Sequence, residues 1–537
     1  MAHTNTIILS KGIKLDKNYK QVMSYTESQM LTLLQDASHL VFRNNTYNFN
    51  NNTGRINIQA SYGTCIQANY MAFQNSEYSN KWFFAFIDNI IMISPSTCEI
   101  EYTIDVFATW FDYWNPKECF IIRQHATTDV AGDNTIPEDI EHGEYISNGA
   151  EQIYSGFGDY WYVVVTSGGL FSGDNFPVCS IGGLPGTGFY YVTDSIIGLR
   201  SLQSLTDESA GKNIIQCYMI PKNLIPSSAI HEIPNSFGVF VGDLSLGFAS
   251  PQRIDWTAIG SRPSALNGVT PVNQKLLTYP FQYAWWTNSN GASNILKYEL
   301  STNTNHGISI SFWGVPTLGG SIIAFPLNYD SQALNLEQSL MGGKFPTLGW
   351  SEDAYTNWLT QNGVNPALNI ADQGIKKVGG LALMAMGGAS LGALGGGLVS
   401  GLLDAGNAVS ELYDHKMEPD SYKGNINGGD VLSALGANTF VCVPKCIKAE
   451  YVRKIDKYFT RYGYRQNAVQ YPNMAHRQNY NYIQIAREDN IGYANLHNGI
   501  SVPASAMETI NNIYRSGVTI WNNHTNFGDY SVSNNIT

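Results

Sequence analysis

The sequence predicts a mainly β protein with some helices, built from barrel or sandwich modules plus one long hydrophobic glycine-rich loop. Three observations lead there. Short β-branched and aromatic runs recur through the first 350 residues, each closed by Gly, Pro, Asn or Ser. Residues 98–106 alternate apolar and polar in strand fashion, and helical periodicity is confined to a few stretches.

From the N-terminus, Met30, Leu33, Leu34 and Ala37 recur at helical spacing, and Thr26 with Gln29 forms a capping-box pattern, so Thr26–Ala37 is predicted as a helix. Lys81–Ile93 is a nearly continuous apolar run that predicts a strand, and Ser94-Pro95-Ser96-Thr97 supplies a turn. After it, Ile100, Tyr102, Ile104 and Val106 fall on one face, with Glu99, Glu101, Thr103 and Asp105 on a solvated one. Further strands are expected at Phe120–Arg123, Tyr160–Thr166, Phe189–Thr193, Ile214–Ile220, Gly238–Val241, Gly307–Trp313 and Ser321–Phe325. Helical stretches are expected at Asp194–Leu205 and Ser351–Gln361.

Between Val378 and Leu403 the chain runs twenty-six residues without a charge, nine of them glycine, including the ladder Gly388, Gly392, Gly396. Glycine costs a core helix roughly 1 kcal/mol relative to alanine, so an ordinary soluble helix is disfavoured. One helix of that length would extend about 39 Å, against about 30 Å for a bilayer core, and small residues four apart let membrane helices approach closely. The segment is therefore a candidate membrane-active loop, carried by Val378, Leu381, Leu383, Met384, Met386, Gly388, Leu391, Gly392, Leu394, Gly396, Leu398, Val399, Leu402 and Leu403. A buried glycine-rich loop or a flexible linker is the alternative. No signal peptide is expected, since Met1–Lys20 carries polar residues throughout.

Beyond it, Lys445–Arg465 carries seven cations, and Val452, Ile455, Phe459 and Tyr462 share one helical face, with Gly463 as its stop. This predicts an amphipathic helix with a basic outer face, which is expected to be solvated or paired with acidic neighbours, contact with DNA or a membrane being the alternative. An acidic run, Asp129, Asp133, Glu138, Asp139, Glu141 and Glu144, is expected to be a solvated loop or one facing a DNA channel.

With 537 residues, about three or four domains are expected. Charged residues make up only 14%, while 32 Tyr, 23 Phe and 11 Trp are present. That balance suits large subunit interfaces, where charge is depleted and aromatics are enriched. The net charge of −12 argues against a conventional nucleic-acid-binding protein. Seven scattered cysteines are expected to be free thiols, Cys442 and Cys446 lacking the second pair of a zinc site. Gly388-Ala389-Ser390-Leu391-Gly392 matches a nucleophile elbow only formally, His231-Glu232 lacks a second histidine, and Gly183–Gly188 lacks a phosphate-binding ending. The residues thus point to no catalytic site, no metal site and no cofactor.

Several stretches together resemble one family. Ala68-Asn69-Tyr70-Met71, Tyr78-Ser79-Asn80-Lys81-Trp82-Phe83, Tyr102–Trp110, Ile136-Pro137-Glu138 to Tyr145, and Ile455–Tyr464 look like tail-knob proteins. These are the distal tail tube, or major tail, proteins of small short-tailed double-stranded-DNA phages of Gram-positive bacteria. The resemblance runs in order from about Leu9 to Asn467. It implies a homohexameric ring at the virion tail tip, made in the host cytoplasm and joined to proximal tail and collar proteins. It also implies that hydrophobic loops plug the lumen, then enter the host cytoplasmic membrane as double-stranded DNA passes without sequence recognition. The segmentation expected is an N-terminal β-rich tube domain (1–125), a middle tube and knob region (126–370), the membrane-active loop (371–416) and a C-terminal region with the basic helix (417–537). A receptor-binding adhesin for host wall carbohydrate is the alternative function. A wall hydrolase is disfavoured because no acid pair stands out.

Overall fold

A computed structural model describes residues 6–50, 54–154, 156–166, 169–171, 179–181, 184–186, 189–195, 197–199, 201–202, 214–235, 238–244, 253–288, 291–314, 321–330, 338–345, 347–348, 350–351, 422–423, 439–497 and 499–537. The chain divides into two compact units, each discontinuous in sequence. The first comprises Met1–His142, Pro271–Leu276 and Glu450–Thr537; the second comprises Gly143–Thr270 and Leu277–Ala449.

The first unit is built on two sheets. A seven-stranded antiparallel sheet runs Leu40–Asn44, Ile7–Ser10, Tyr70–Asn75, Lys81–Ser94, Thr97–Ile104, Arg55–Ile58, Asn48–Asn50 in spatial order. Ile7 and Leu9 belong to one apolar cluster with Met71 and Ala85, while Ile8 belongs to another with Tyr70, Ala72, Phe84 and Phe86. Both faces are covered, which is why Ile7–Ser10 reads as an unbroken buried run rather than an alternation. The helix Glu27–Gln35 starts at the Thr26 and Gln29 capping box and buries Met30, Leu33 and Leu34, as its spacing predicts.

The Lys81–Ser94 and Thr97–Ile104 hairpin forms across the expected turn, but its polar face is not uniformly wet. Glu99 is buried and accepts from Arg55 at 2.9 Å. Asp105 is buried and ends the strand: it caps the helix Val106–Trp110, accepting from the Ala108 N–H at 3.1 Å and the Tyr70 hydroxyl at 2.8 Å. Val106 is therefore helical, and a carboxylate at a helix start replaces the last position of the alternation.

The second sheet of this unit orders Gln21–Met23, Val518–Trp521, Tyr480–Ile485, Cys119–Gln124 and Tyr464–Gln470, with the first pair parallel. The helix Ala504–Ser516 packs Ile510, Ile513 and Tyr514 into a core shared with Ile121, Ile483 and Ile520. The predicted basic helix spans Ala449–Tyr462. It begins later than the cation run because Phe440–Ile447 is a strand containing Lys445, and Arg465 falls in the following strand. Val452, Ile455 and Phe459 are its buried stripe.

The second unit holds a six-stranded sheet, Ile230–Glu232, Gly242–Leu244, Phe189–Thr193, Tyr160–Thr166, Ile214–Pro221, Thr347–Leu348, and a four-stranded one, Arg253–Ile259, Ile308–Gly314, Ser321–Leu327, Leu340–Lys344. A third places Phe440–Ile447 beside Gln282–Thr287 and pairs it also with Tyr145–Ser147 and Gln152–Tyr154. Trp286, Tyr298, Phe312 and Phe440 meet in its core. Most expected strands appear within a residue or two. Gly238–Val241 does not: the strand is Gly242–Leu244, and Gly238 sits at φ +66°, a left-handed turn rather than a strand start. Residues 197–199 and 201–202 are helical, within the expected Asp194–Leu205 stretch.

Candidate functional site

All fourteen residues of the expected membrane-active loop, Val378 to Leu403, lie outside the described residues, as does the expected helix beyond Ser351. What is placed is the root from which that stretch departs. Thr347–Leu348 extends the six-stranded sheet by pairing with Cys217 and Tyr218. Immediately after it, Trp350–Ser351 forms an antiparallel ribbon with Tyr422–Lys423, Trp350 opposite Lys423 and Ser351 opposite Tyr422. Residues 352–421 thus leave and re-enter at one point. Phe440–Ile447 then returns the chain to the core of the same unit. No described helix is long and apolar enough to cross a membrane.

The acidic run behaves differently from expectation. Instead of a uniformly solvated loop, it is anchored within the first unit by a buried cluster. The Glu138 side chain is fully buried and accepts from three donors: Arg123, the Lys275 ammonium at 2.7 Å and the Arg465 backbone N–H at 2.9 Å. Arg123 also donates to the Gly463 carbonyl at 2.8 Å. Asp129 accepts from the Tyr464 hydroxyl at 2.6 Å and the Gln274 N–H at 3.3 Å, and burial raises its carboxyl above the ordinary range. Burial likewise pulls the Lys275 ammonium below its ordinary range, although Glu138 opposes that shift. Asp133, Asp139, Glu141 and Glu144 are exposed as expected, Asp139 and Glu144 being paired with Arg465 and Lys448.

The short stretch Pro271–Leu276 is held by the basic helix as well. Asp456 turns inward and accepts from the Val272 N–H at 3.0 Å, the Asn273 N–H at 3.0 Å and the Asn273 side chain at 2.8 Å. His125 is equally enclosed. Its Nδ1 accepts from the Tyr482 N–H at 2.8 Å, which leaves Nε2 to donate to the Thr460 carbonyl at 3.0 Å. Burial holds the imidazole neutral, pushing its pKa down to about 3.

Sequence reasoning missed several of these residues. Arg123, Lys275 and His125 stand alone in the chain, and their partners lie 15, 137 and 335 residues away. Lys81, expected only as a strand residue, is buried with its ammonium 3.5 Å from the Tyr113 ring centroid and 4.8 Å from that of Trp110. It donates to the Thr109 carbonyl at 2.7 Å, and burial lowers its pKa to about 8. Its ring partners stand 29 and 32 residues away, so nothing local announces the contact.

Cys65, Cys98, Cys119, Cys217, Cys442 and Cys446 are buried free thiols. His231 and Glu232 lie exposed on the strand Ile230–Glu232. No group of three or more His, Cys, Asp or Glu poised for a metal occurs among the described residues.

Over its whole length the chain is similar to curated tail knob proteins. It is 23% identical to tail knob protein gp9 of Bacillus phage phi29, covering 100% of this chain and 99% of that protein. It is 24% identical to the gp9 tail knob protein of Bacillus phage PZA with the same coverage. The solved bacteriophage C1 tail knob protein, gp12, shares the fold, with a TM-score of 0.62 at 14% identity over 99% of this chain and 100% of that one. The caudoviral major tail protein N-terminus model matches residues 3–115, and the model for the C-terminal domain of phi29 tail knob protein gp9 matches residues 249–535. With more than half of its length inside that last model, the chain belongs to the family of the phi29 tail knob protein gp9.

Proposed function

We propose that this structural tail knob protein closes into a six-fold ring at the distal end of a short phage tail and conducts double-stranded DNA during ejection. In this reading Val378–Leu403 plugs the lumen before infection, then enters the host cytoplasmic membrane. Proximal tail and collar proteins are its virion partners.

The observation that carries the reading is the root. A charge-free, glycine-laddered run lies inside a stretch whose two ends are paired side by side at Trp350–Ser351 and Tyr422–Lys423. A segment attached that way can transfer from one apolar environment to another without disturbing the sheets behind it. Six such segments can bury one another on an axis and later pack through their glycines in lipid. The chain's charge of −12 supports the conduit, since phosphate–cation contacts are what make a polyanion adhere.

The test is dye release from liposomes by the intact chain and by a chain lacking Lys376–Asp404, alongside electron microscopy of the purified protein. Leakage by the intact chain alone, together with six-fold particles, is expected. Equal leakage from both chains removes the membrane role, and a stable two-fold dimer removes the ring.

A further inference from the structure

The basic helix Ala449–Tyr462 presents to solvent a row of like charges with an unusual arrangement. Arg453, Lys454, Lys457 and Arg461 are all exposed; Arg453, Lys457 and Arg461 recur one turn apart over about 12 Å of helix, with Lys454 beside the first. The segment has only two carboxylates. Glu450 is exposed on the same face and heads the row one turn before Arg453 and Lys454, while Asp456 is drawn inward by the amides of Val272 and Asn273, so no acid interrupts the row between Arg453 and Arg461. Among the described residues none of the four cations has a carboxylate within ion-pair distance. Along one flank the half-buried Tyr458 and Tyr462 pack with tilted rings, 5.1 Å between centroids.

We infer that this row is a contact for the phosphate backbone of duplex DNA. Charge complementarity is the first argument. Three cations at one-turn intervals, with a fourth beside the first, face a polymer with regularly spaced phosphates, and tyrosine hydroxyls are ordinary phosphate donors. The second is range. At physiological ionic strength a charge is screened beyond about 8 Å, so carboxylates elsewhere on an acidic chain do not cancel a compact row. A contact made to phosphates alone reads no sequence. Within the conduit reading, on which the source of the DNA rests, the row serves as a weak local guide on an otherwise repelling surface.

The experiment is fluorescence anisotropy of a labelled duplex with the purified full chain across a salt series. Four neutralised phosphates predict a slope of log affinity against log salt near −3.6, or about a 100-fold loss between 50 and 200 mM salt. The variant carrying Arg453→Gln, Lys454→Gln, Lys457→Gln and Arg461→Gln, all surface positions, is expected to lose at least tenfold in affinity and most of the slope. A control with Lys11, Lys14, Lys17 and Lys20 changed to Gln removes the same charge elsewhere and is expected to bind as the parent does. No salt-dependent binding by the parent, or equal losses in variant and control, overturns the inference. So does a variant that keeps DNA affinity but changes oligomeric state, which makes the row a subunit contact. These outcomes concern the isolated chain, so a failed guide with intact ejection leaves the conduit standing.

Discussion

Replacing Glu138 by Gln removes the carboxylate that pairs with both Arg123 and Lys275. The Glu138 side chain is 0% exposed, Lys275 is 2% exposed and Arg123 is 11% exposed, so water cannot substitute for the carboxylate. A glutamine can still accept through Oε1 from Lys275 and the Arg465 N–H. Its amide, however, turns a donor toward the Arg123 guanidinium, and the carboxylate charge opposite both cations is lost. Breaking a buried ion pair from one side costs roughly 3–5 kcal/mol, a large part of the 5–15 kcal/mol that holds a typical domain. With two units present, global unfolding is unsuitable as a readout. The assay is urea-dependent hydrogen exchange of peptides covering Cys119–Gln124 and Tyr464–Gln470, the strands that flank the cluster. The double variant Glu138→Gln, Lys275→Met removes one of the two cations and should regain at least about 1 kcal/mol of the loss. A single-variant loss below about 1 kcal/mol, or no recovery in the double variant, refutes the argument that charge compensation rather than shape holds the acidic run.

Three further outcomes follow from the same geometry. His125 has its folded pKa depressed to about 3 against 6.5, so its contribution is complete above pH 6.5 and declines by about 1.4 kcal/mol per unit as pH falls toward 3; the His125→Gln variant should gain on the parent by that slope in acid denaturation series, and parallel curves refute it. Gly463, at φ +64°, ends the basic helix where an added Cβ meets the Gln124 carbonyl, so Gly463→Ala should cost at least about 2 kcal/mol by the same exchange assay, and a neutral result refutes the close approach. Changing Gly392 and Gly396 to Leu should raise binding to liposomes while lowering dye release, because lipid affinity follows hydrophobicity whereas helix approach needs small residues; release that rises with binding refutes the packing argument.

What the sequence revealed and hid follows from the range of the interactions. The helix Glu27–Gln35, the hairpin turning at Ser94–Thr97 and the buried stripe Val452, Ile455, Phe459 rest on contacts within a few residues, and periodicity exposes those. The two units do not, since the first assembles from three separated pieces, one only six residues long. Nothing local in Pro271–Leu276 announces that Asn273 will bond Asp456. The acidic run shows the same limit. Composition sets the solvated state as the default for its carboxylates, and only the fold brings Arg123, Lys275 and the Arg465 amide to Glu138. The candidate loop was visible as composition, whereas its paired root joins residues more than seventy apart and leaves no local trace.

That root constrains how the loop can work. As long as Trp350–Ser351 and Tyr422–Lys423 stay paired, both ends of residues 352–421 lie on the same side of any membrane the segment enters. The chain must then cross and come back. Two full apolar crossings need about 40 residues, and the uncharged run supplies twenty-six. A hairpin bent at Gly395-Gly396-Gly397 gives legs of about 26 Å and 9 Å by helical rise, neither reaching the 30 Å of the hydrocarbon core. On the proposed six-fold membrane reading, the alternative is one apolar crossing and a return through water, with the charged flanks that include Asp372, Lys376, Lys377, Asp404 and Glu411 lining an aqueous channel. In that arrangement the charged flanks belong to the pore wall. Replacing Asp404 and Glu411 by Lys should therefore alter the ion selectivity of the channel in planar bilayers, and unchanged selectivity with intact conductance excludes the aqueous return leg.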